Sequence, residues 1–258
     1  MKLPRTVILF LLLFVTPILS ASDFAKEKRW ADEIADSLVE GDVTWLQAGE
    51  HRFLAIYTMA KGDNPKRGII LLHGTGVHPD WRQVIYPLRT GLAARGMPTL
   101  SLQMPVLPNE VRGNDYEPLI ADADPRIEAG VKFLKQQGVK EVVLIGHSLG
   151  SVMAAHYLAG GARDFKGFIG VNMDVYDNSD ERIDMLAFLR RIHIPVLDLY
   201  GSMAASSSLN TVDLRAEAAK ASGNKPYRQI KIEGANQLFD GKDEVLLETV
   251  SKWLSTLK

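Results

Sequence analysis

The sequence contains no cysteine. That excludes disulfides, a thiol nucleophile, thiolate metal ligation and a lipid-modified N-terminal cysteine. Nor is there a basic tract or stripe. Across 258 residues, 30 Lys and Arg stand against 31 Asp and Glu, for a net charge of −1. This balance argues against nucleic acid as a partner. No internal repeat is visible, and no linker divides the body. With 46% hydrophobic and 24% charged residues, the chain can bury a sizeable core as one domain.

The N-terminus carries a targeting pattern. Lys2 and Arg5 form a short positive region, followed by an apolar run from Val7 to Val15. Thr16-Pro17 and the small residues Ser20-Ala21-Ser22 come next. This order is that of a secretory signal peptide, and the apolar stretch is short for a bilayer span, which disfavours a retained anchor. Residues 1–22 are therefore expected to be a signal and 23–258 a single domain. No membrane span is expected after cleavage. The expected location is outside the cytoplasm, in the periplasm if the cell is Gram-negative.

The body alternates between two patterns. Strand-like stretches fall at Val43–Ala48, Phe53–Met59, Gly68–Leu72, Pro98–Leu102, Glu141–Ile145, Gly167–Asn172, Pro195–Tyr200 and Tyr227–Ile232. Helical patterns fall at Phe24–Val39, Trp81–Ala94, Asp124–Gln137, Leu149–Ala159, Asp180–Arg190, Val212–Ala221 and Glu244–Leu257. From Gly68 onward the strands are short, apolar runs with helices between them. This alternation predicts an α/β fold with a mostly parallel central sheet and helices on both faces. Lys61 to Pro65 is a turn. Pro105 to Pro118 is one long irregular loop. Met104 to Pro108, with Tyr116, Pro118 and Leu119, either walls an apolar pocket or covers the sheet.

Chemistry concentrates at one junction. The strand at Glu141 runs into Gly146-His147-Ser148-Leu149-Gly150, and a helix begins at once. A sharp strand-to-helix turn crowds the backbone, so its flanks must be glycine, and the serine hydroxyl is left exposed above the sheet. This is a serine nucleophile elbow. Upstream, Leu71-Leu72-His73-Gly74-Thr75-Gly76 ends the first buried strand in a glycine-rich loop. The backbone N–H groups of Thr75 and Leu149 are the candidate oxyanion donors.

These motifs resemble the α/β-hydrolase superfamily, over roughly Gly68 to Leu257. His73-Gly-Thr-Gly, Pro87-Leu-Arg, Thr99 to Pro105, the elbow, Pro195 to Gly201 and Gly234-Ala-Asn are similar in particular to a bacterial group of exported α/β-hydrolase-like proteins. The resemblance implies hydrolysis of an ester, amide or similar bond, without cofactor or metal. Serine needs a histidine to take its proton and a carboxylate to orient that histidine, in the chain order Ser, Asp/Glu, His. The superfamily places the acid after the strand Pro195–Tyr200 and the histidine after the last strand. Ala204 occupies the first slot and Gln237 the second.

The six histidines offer no ready substitute. His51 precedes the sheet core, His73 lies in the oxyanion loop and His147 in the elbow. His156 is about 12 Å along the next helix, and His193 is at the opposite end of its strand. His78, expected as a rim residue, is the one loop histidine able to swing in. Asp174, after the strand Gly167–Asn172, is a possible alternative acid. With no histidine to orient, its favoured reading is a solvated loop carboxylate; Asp198, inside a strand, reads as structural. Gln237 cannot accept a proton near neutral pH, and loss of the base costs a triad enzyme on the order of 10⁶-fold in kcat. The expected function is a weakly active or non-catalytic protein that binds a small acyl-type ligand or an envelope component. The alternative is an active esterase or amidase using an unusual base.

Overall fold

The computed structural model describes residues 22–62, 66–111, 113–162, 164–176, 180–223 and 226–258. Of the signal expected at residues 1–22, residues 1–21 lie outside the described residues, as do residues 63–65 of the turn expected at 61–65. The elements run α1 (Phe24–Ser37), β1 (Asp42–Ala48), β2 (His51–Thr58), β3 (Arg67–Leu72), α2 (Ile85–Ala94), β4 (Thr99–Leu102) and α3 (Asp124–Gln136). They continue with β5 (Glu141–His147), α4 (Leu149–Ala159), β6 (Phe165–Val171), α5 (Met185–Leu189), β7 (Val196–Met203), α6 (Ser206–Leu209), α7 (Val212–Ala221), β8 (Tyr227–Asn236) and α8 (Asp243–Thr256).

One eight-stranded sheet takes the order β1-β2-β4-β3-β5-β6-β7-β8. β1 and β2 pair antiparallel, as do β2 and β4. Every pair from β4 to β8 is parallel. Side chains alternate between faces along a strand, and here both faces are dry. Ile70, Leu72, Val142 and Leu144 join the core that contains α3, α4 and α5. Ile69, Leu71, Val143 and Ile145 join the core built with α2 and α8. Each such burial contributes about 1.5–3 kcal/mol relative to exposure. That is why these strands read as continuous apolar runs.

α1 covers the antiparallel edge through Ala31 and Ile34, packed on Leu54 and Ile56. Its buried Glu27 forms a two-oxygen pair with Arg126 of α3, at 2.9 and 3.0 Å. Ser22, placed by sequence at the end of the signal, is buried against this pair. Its hydroxyl donates to Glu27, and the Val106 N–H donates to it at 2.8 Å. No helix among the described residues is long and apolar enough to cross a membrane.

Two helices begin later than their patterns suggest. α5 starts at Met185, not Asp180, because the Asp184 carboxylate accepts from the N–H groups of Leu186 and Ala187 and caps the helix there. α2 starts after Val84, whose φ of +59° cannot belong to a helix. The long loop also holds more structure than expected: 3₁₀ turns at Gly113–Leu119 and Ala121–Ala123. Met104, Val106, Leu107, Tyr116 and Leu119 are all buried in the larger core. The segment therefore covers the sheet.

Candidate functional site

Ser148 sits between β5 and α4 with φ +51° and ψ −123°. A non-glycine residue there costs about 1–3 kcal/mol, and the surrounding structure must impose it. It does so at both ends. The Ser148 N–H donates to Val171 O at 2.9 Å, and its carbonyl accepts from the Ser151 N–H at 2.8 Å. A Cβ on Gly146 would fall 2.5 Å from the Ser151 backbone, and one on Gly150 only 2.6 Å from His73 O. Larger residues would force this turn open.

The glycine-rich loop after β3 reaches the elbow. A methyl group on Gly74 would lie 3.1 Å from Ser148 Cβ and 3.0 Å from His147 O. Thr75 follows, partly exposed. Leu149 is the first residue of α4, so its N–H has no carbonyl within the helix to bond. The loop itself is held by His73, which is buried. The Met104 N–H donates to His73 Nε2 at 2.9 Å, so the proton sits on Nδ1 and is given to Gly74 O, also at 2.9 Å. Burial holds this imidazole neutral, pushed down to about 3. His73 is thus a loop strut.

Four of the other histidines are committed as well. His147 is buried, and its Nε2 donates to Gln237 O at 2.9 Å; burial lowers its pKa as well. His78 is wedged between Trp30 and Trp81, with ring centroids 5.6 and 5.4 Å away. Its Nδ1 accepts from the Asp80 N–H at 3.2 Å. His51 meets Glu27 at 3.1 Å, and His156 meets Asp124 at 3.1 Å. His193 lies exposed just before β7.

Asp174 departs from its expected role. It is 4% exposed, not solvated. The Ser148 hydroxyl donates directly to Asp174 Oδ2. Ser207 donates to Oδ1 at 2.7 Å, and the Tyr176 phenol reaches Oδ2 at 3.4 Å. The physical cause lies in Asn172, fully buried with φ +48°. Its Oδ1 accepts from the Gly201 N–H at 2.9 Å, and its Nδ2 donates to Gln237 O at 2.9 Å. These bonds turn the chain after β6 inward, toward the elbow.

Ala204 and Gln237 come together at the ends of β7 and β8. The Ala205 N–H donates to Gln237 Oε1 at 3.0 Å. The two positions are thus neighbours, closed by a backbone-to-amide bond. Asp198 is structural, as expected. It is fully buried and paired with Arg215 at 2.7 and 3.2 Å, and it also accepts from Tyr227 and Gln229. Among the described residues, no group of three or more potential metal ligands occurs.

Three contributors were not legible from motifs: Asn172, Tyr176 and Ser207. The nearest available signal was Asn172-Met-Asp174 at the end of a buried strand, together with the serine run 206–208.

A parallel sheet with a strained serine at its carboxyl edge, backed by a glycine loop, defines the α/β-hydrolase fold. Solved structures agree. With ferulic acid bound, Est1E from Butyrivibrio proteoclasticus matches at TM-score 0.68 and 17% identity, over 83% of this chain and 98% of that one. Dienelactone hydrolase from Anabaena variabilis matches at TM-score 0.67 and 18% identity, over 84% and 98%. An esterase from Pyrococcus furiosus matches at TM-score 0.66 and 16% identity, over 84% and 91%. At these identities the likeness is one of fold. No curated protein matches the chain. The chain belongs to the family described as protein of unknown function (DUF3530), whose model covers residues 20–118 and 119–256.

Proposed function

We propose that this is an exported hydrolase-fold protein that binds a small acyl-type ligand at Ser148 and turns it over slowly. The observation that carries the proposal is the hydrogen bond from the Ser148 hydroxyl to Asp174. A carboxylate takes the contact that an imidazole would make. It is a weaker base near neutral pH, because general-base efficiency is greatest when the pKa lies near the working pH. Ala204 and Gln237 supply neither acid nor base. The oxyanion donors Thr75 and Leu149 remain, and such groups with binding alone retain about 10³–10⁴-fold catalysis over water.

The esterase reading gains from the same contact, since Asp174 is the one group bonded to the serine proton. The signal-like residues 1–22 support export, with the periplasm as destination in a Gram-negative cell. A partner in the cell envelope fits that location. The even charge balance supports neither nucleic acid nor a charged surface as partner.

Rebuilding the triad tests the assignment of the slots. Ala204→Asp with Gln237→His is expected to raise p-nitrophenyl ester hydrolysis by at least about 10²-fold, the usual contribution of a positioned base. A folded double variant with unchanged activity would overturn the assignment.

A further inference from the structure

A serine–carboxylate pair leaves one step of ester cleavage without an agent. The base that receives the serine proton must return a proton to the departing alcohol, and in a triad the imidazolium does both. Asp174 can accept from Ser148, but it is buried and holds two other donors. A second group that faces both the carboxylate and the oxyanion loop is needed to pass the proton on.

Tyr176 is placed for this. Its phenol reaches Asp174 Oδ2, the same oxygen that accepts from Ser148. The Thr75 side chain, on the glycine-rich loop after β3, favours the ionised form of the phenol against the larger effect of burial. A methyl group on Gly113, in the covering 3₁₀ turn, would lie 4.0 Å from its ring. The phenol therefore bridges the base and the oxyanion side of the nucleophile. At 3.4 Å the contact with Asp174 is long. Catalytic hydrogen bonds in empty sites are commonly long and tighten when substrate binds.

We propose that Tyr176 is the proton donor to the leaving group, and that Ser148, Asp174 and Tyr176 form a relay suited to carboxylic esters of alcohols. Ser148 Oγ bonds to the acyl carbon as its proton passes to Asp174. The bond from that carbon to the alcohol oxygen breaks, and the oxygen takes the phenolic proton. The phenolate recovers a proton from the Asp174 carboxyl, leaving an acyl-serine, a carboxylate and a neutral phenol. Water then attacks the acyl carbon and gives a proton to Asp174. Asp174 returns that proton to Ser148 Oγ as the acid departs. Burial and the adjacent Asp174 raise the Tyr176 pKa, so the phenol stays neutral until a stronger base, the departing alkoxide, takes its proton. A phenol of raised pKa can protonate a departing alkoxide, whereas the less basic nitrogen of an amide's tetrahedral intermediate needs a stronger acid, which favours esters over amides.

This rests on the reading of Ser148 as a slow nucleophile, and leaving groups separate the two. A fluorophosphonate expels fluoride, and a p-nitrophenyl ester expels a stable phenolate; neither needs an acid. An ethyl or butyl ester of the same acyl group does. Tyr176→Phe is expected to keep probe labelling and p-nitrophenyl turnover within about threefold of wild type. Alkyl-ester turnover should fall by about 10²-fold, the ordinary worth of a positioned acid. In the wild type, rates across a series of aryl and alkyl esters should depend only weakly on the leaving-group pKa, and steeply in Tyr176→Phe. Equal losses on both substrates, or none on alkyl esters, would overturn the relay while leaving the nucleophile standing. A wild type that the probe does not label would remove both.

Discussion

Asp174 and Asp198 are buried carboxylates on neighbouring strands or their loops, yet they are neutralised in opposite ways. Asp198 meets a guanidinium head-on, and a phenol and an amide complete its shell. Asp174 has hydroxyls alone: Ser148, Ser207 and Tyr176. A buried charge that is paired and saturated is a strut, whereas one left to hydroxyl donors beside an accessible serine can still exchange a proton. The two are mechanically linked. Arg215 Nη1 donates to Ser208 O at 2.6 Å and to Met173 O at 3.4 Å. The ion pair thus fixes the backbone next to both Asp174 and Ser207. The ion-paired carboxylate holds the hydroxyl-bound one in place.

The largest effect should come from breaking the strut. Arg215→Met leaves Asp198 buried without its cation and is expected to cost about 3–5 kcal/mol in denaturant unfolding, as such losses usually do. A change under about 1 kcal/mol would mean that the pair is dispensable and the comparison empty.

The next effect concerns pH. His73 is held neutral to about 3 by burial, while the unfolded chain takes up its proton near the ordinary value of about 6.5. The folded pKa is lowered, so its contribution is present above about 6.5 and is lost as pH falls toward 3. In that window the unfolded state binds the extra proton, and stability should drop by roughly 1.4 kcal/mol per pH unit. His147 and His78 shift in the same direction. Denaturant midpoints at pH 7, 6 and 5 should fall less steeply in His73→Gln than in the wild type. Parallel slopes would show that His73 is not the group involved.

The smallest effect on stability is expected at Asp174. Asp174→Asn keeps an acceptor for its hydroxyl partners and removes a buried charge that has no cation. The unfolding free energy should change by less than about 1 kcal/mol. A loss as large as that of Arg215→Met would make Asp174 a second strut.

The sequence made the sheet legible because both faces of β3 and β5 are apolar, and it made Ser148 legible because the elbow is local. Five residues define that elbow, and the glycines at 146 and 150 record its crowding directly. Asp174 was visible only as a residue after a strand. Its burial depends on a positive φ at Asn172 and on donors 26 and 33 residues away, and no spacing rule reports such contacts. The boundaries of α2 and α5 were missed for a similar reason. Val84 φ and the Asp184 cap are decided by the structure around them, not by apolar period.

Asp174 is proposed to activate Ser148 directly. The measurement that tests it is the rate of fluorophosphonate labelling of Ser148 in the wild type and in Asp174→Asn. The account predicts slow, saturable labelling of the wild type, absent in Ser148→Ala. In a stably folded Asp174→Asn, it predicts labelling slower by about 10²-fold or more. Equal labelling of wild type and Asp174→Asn would contradict it.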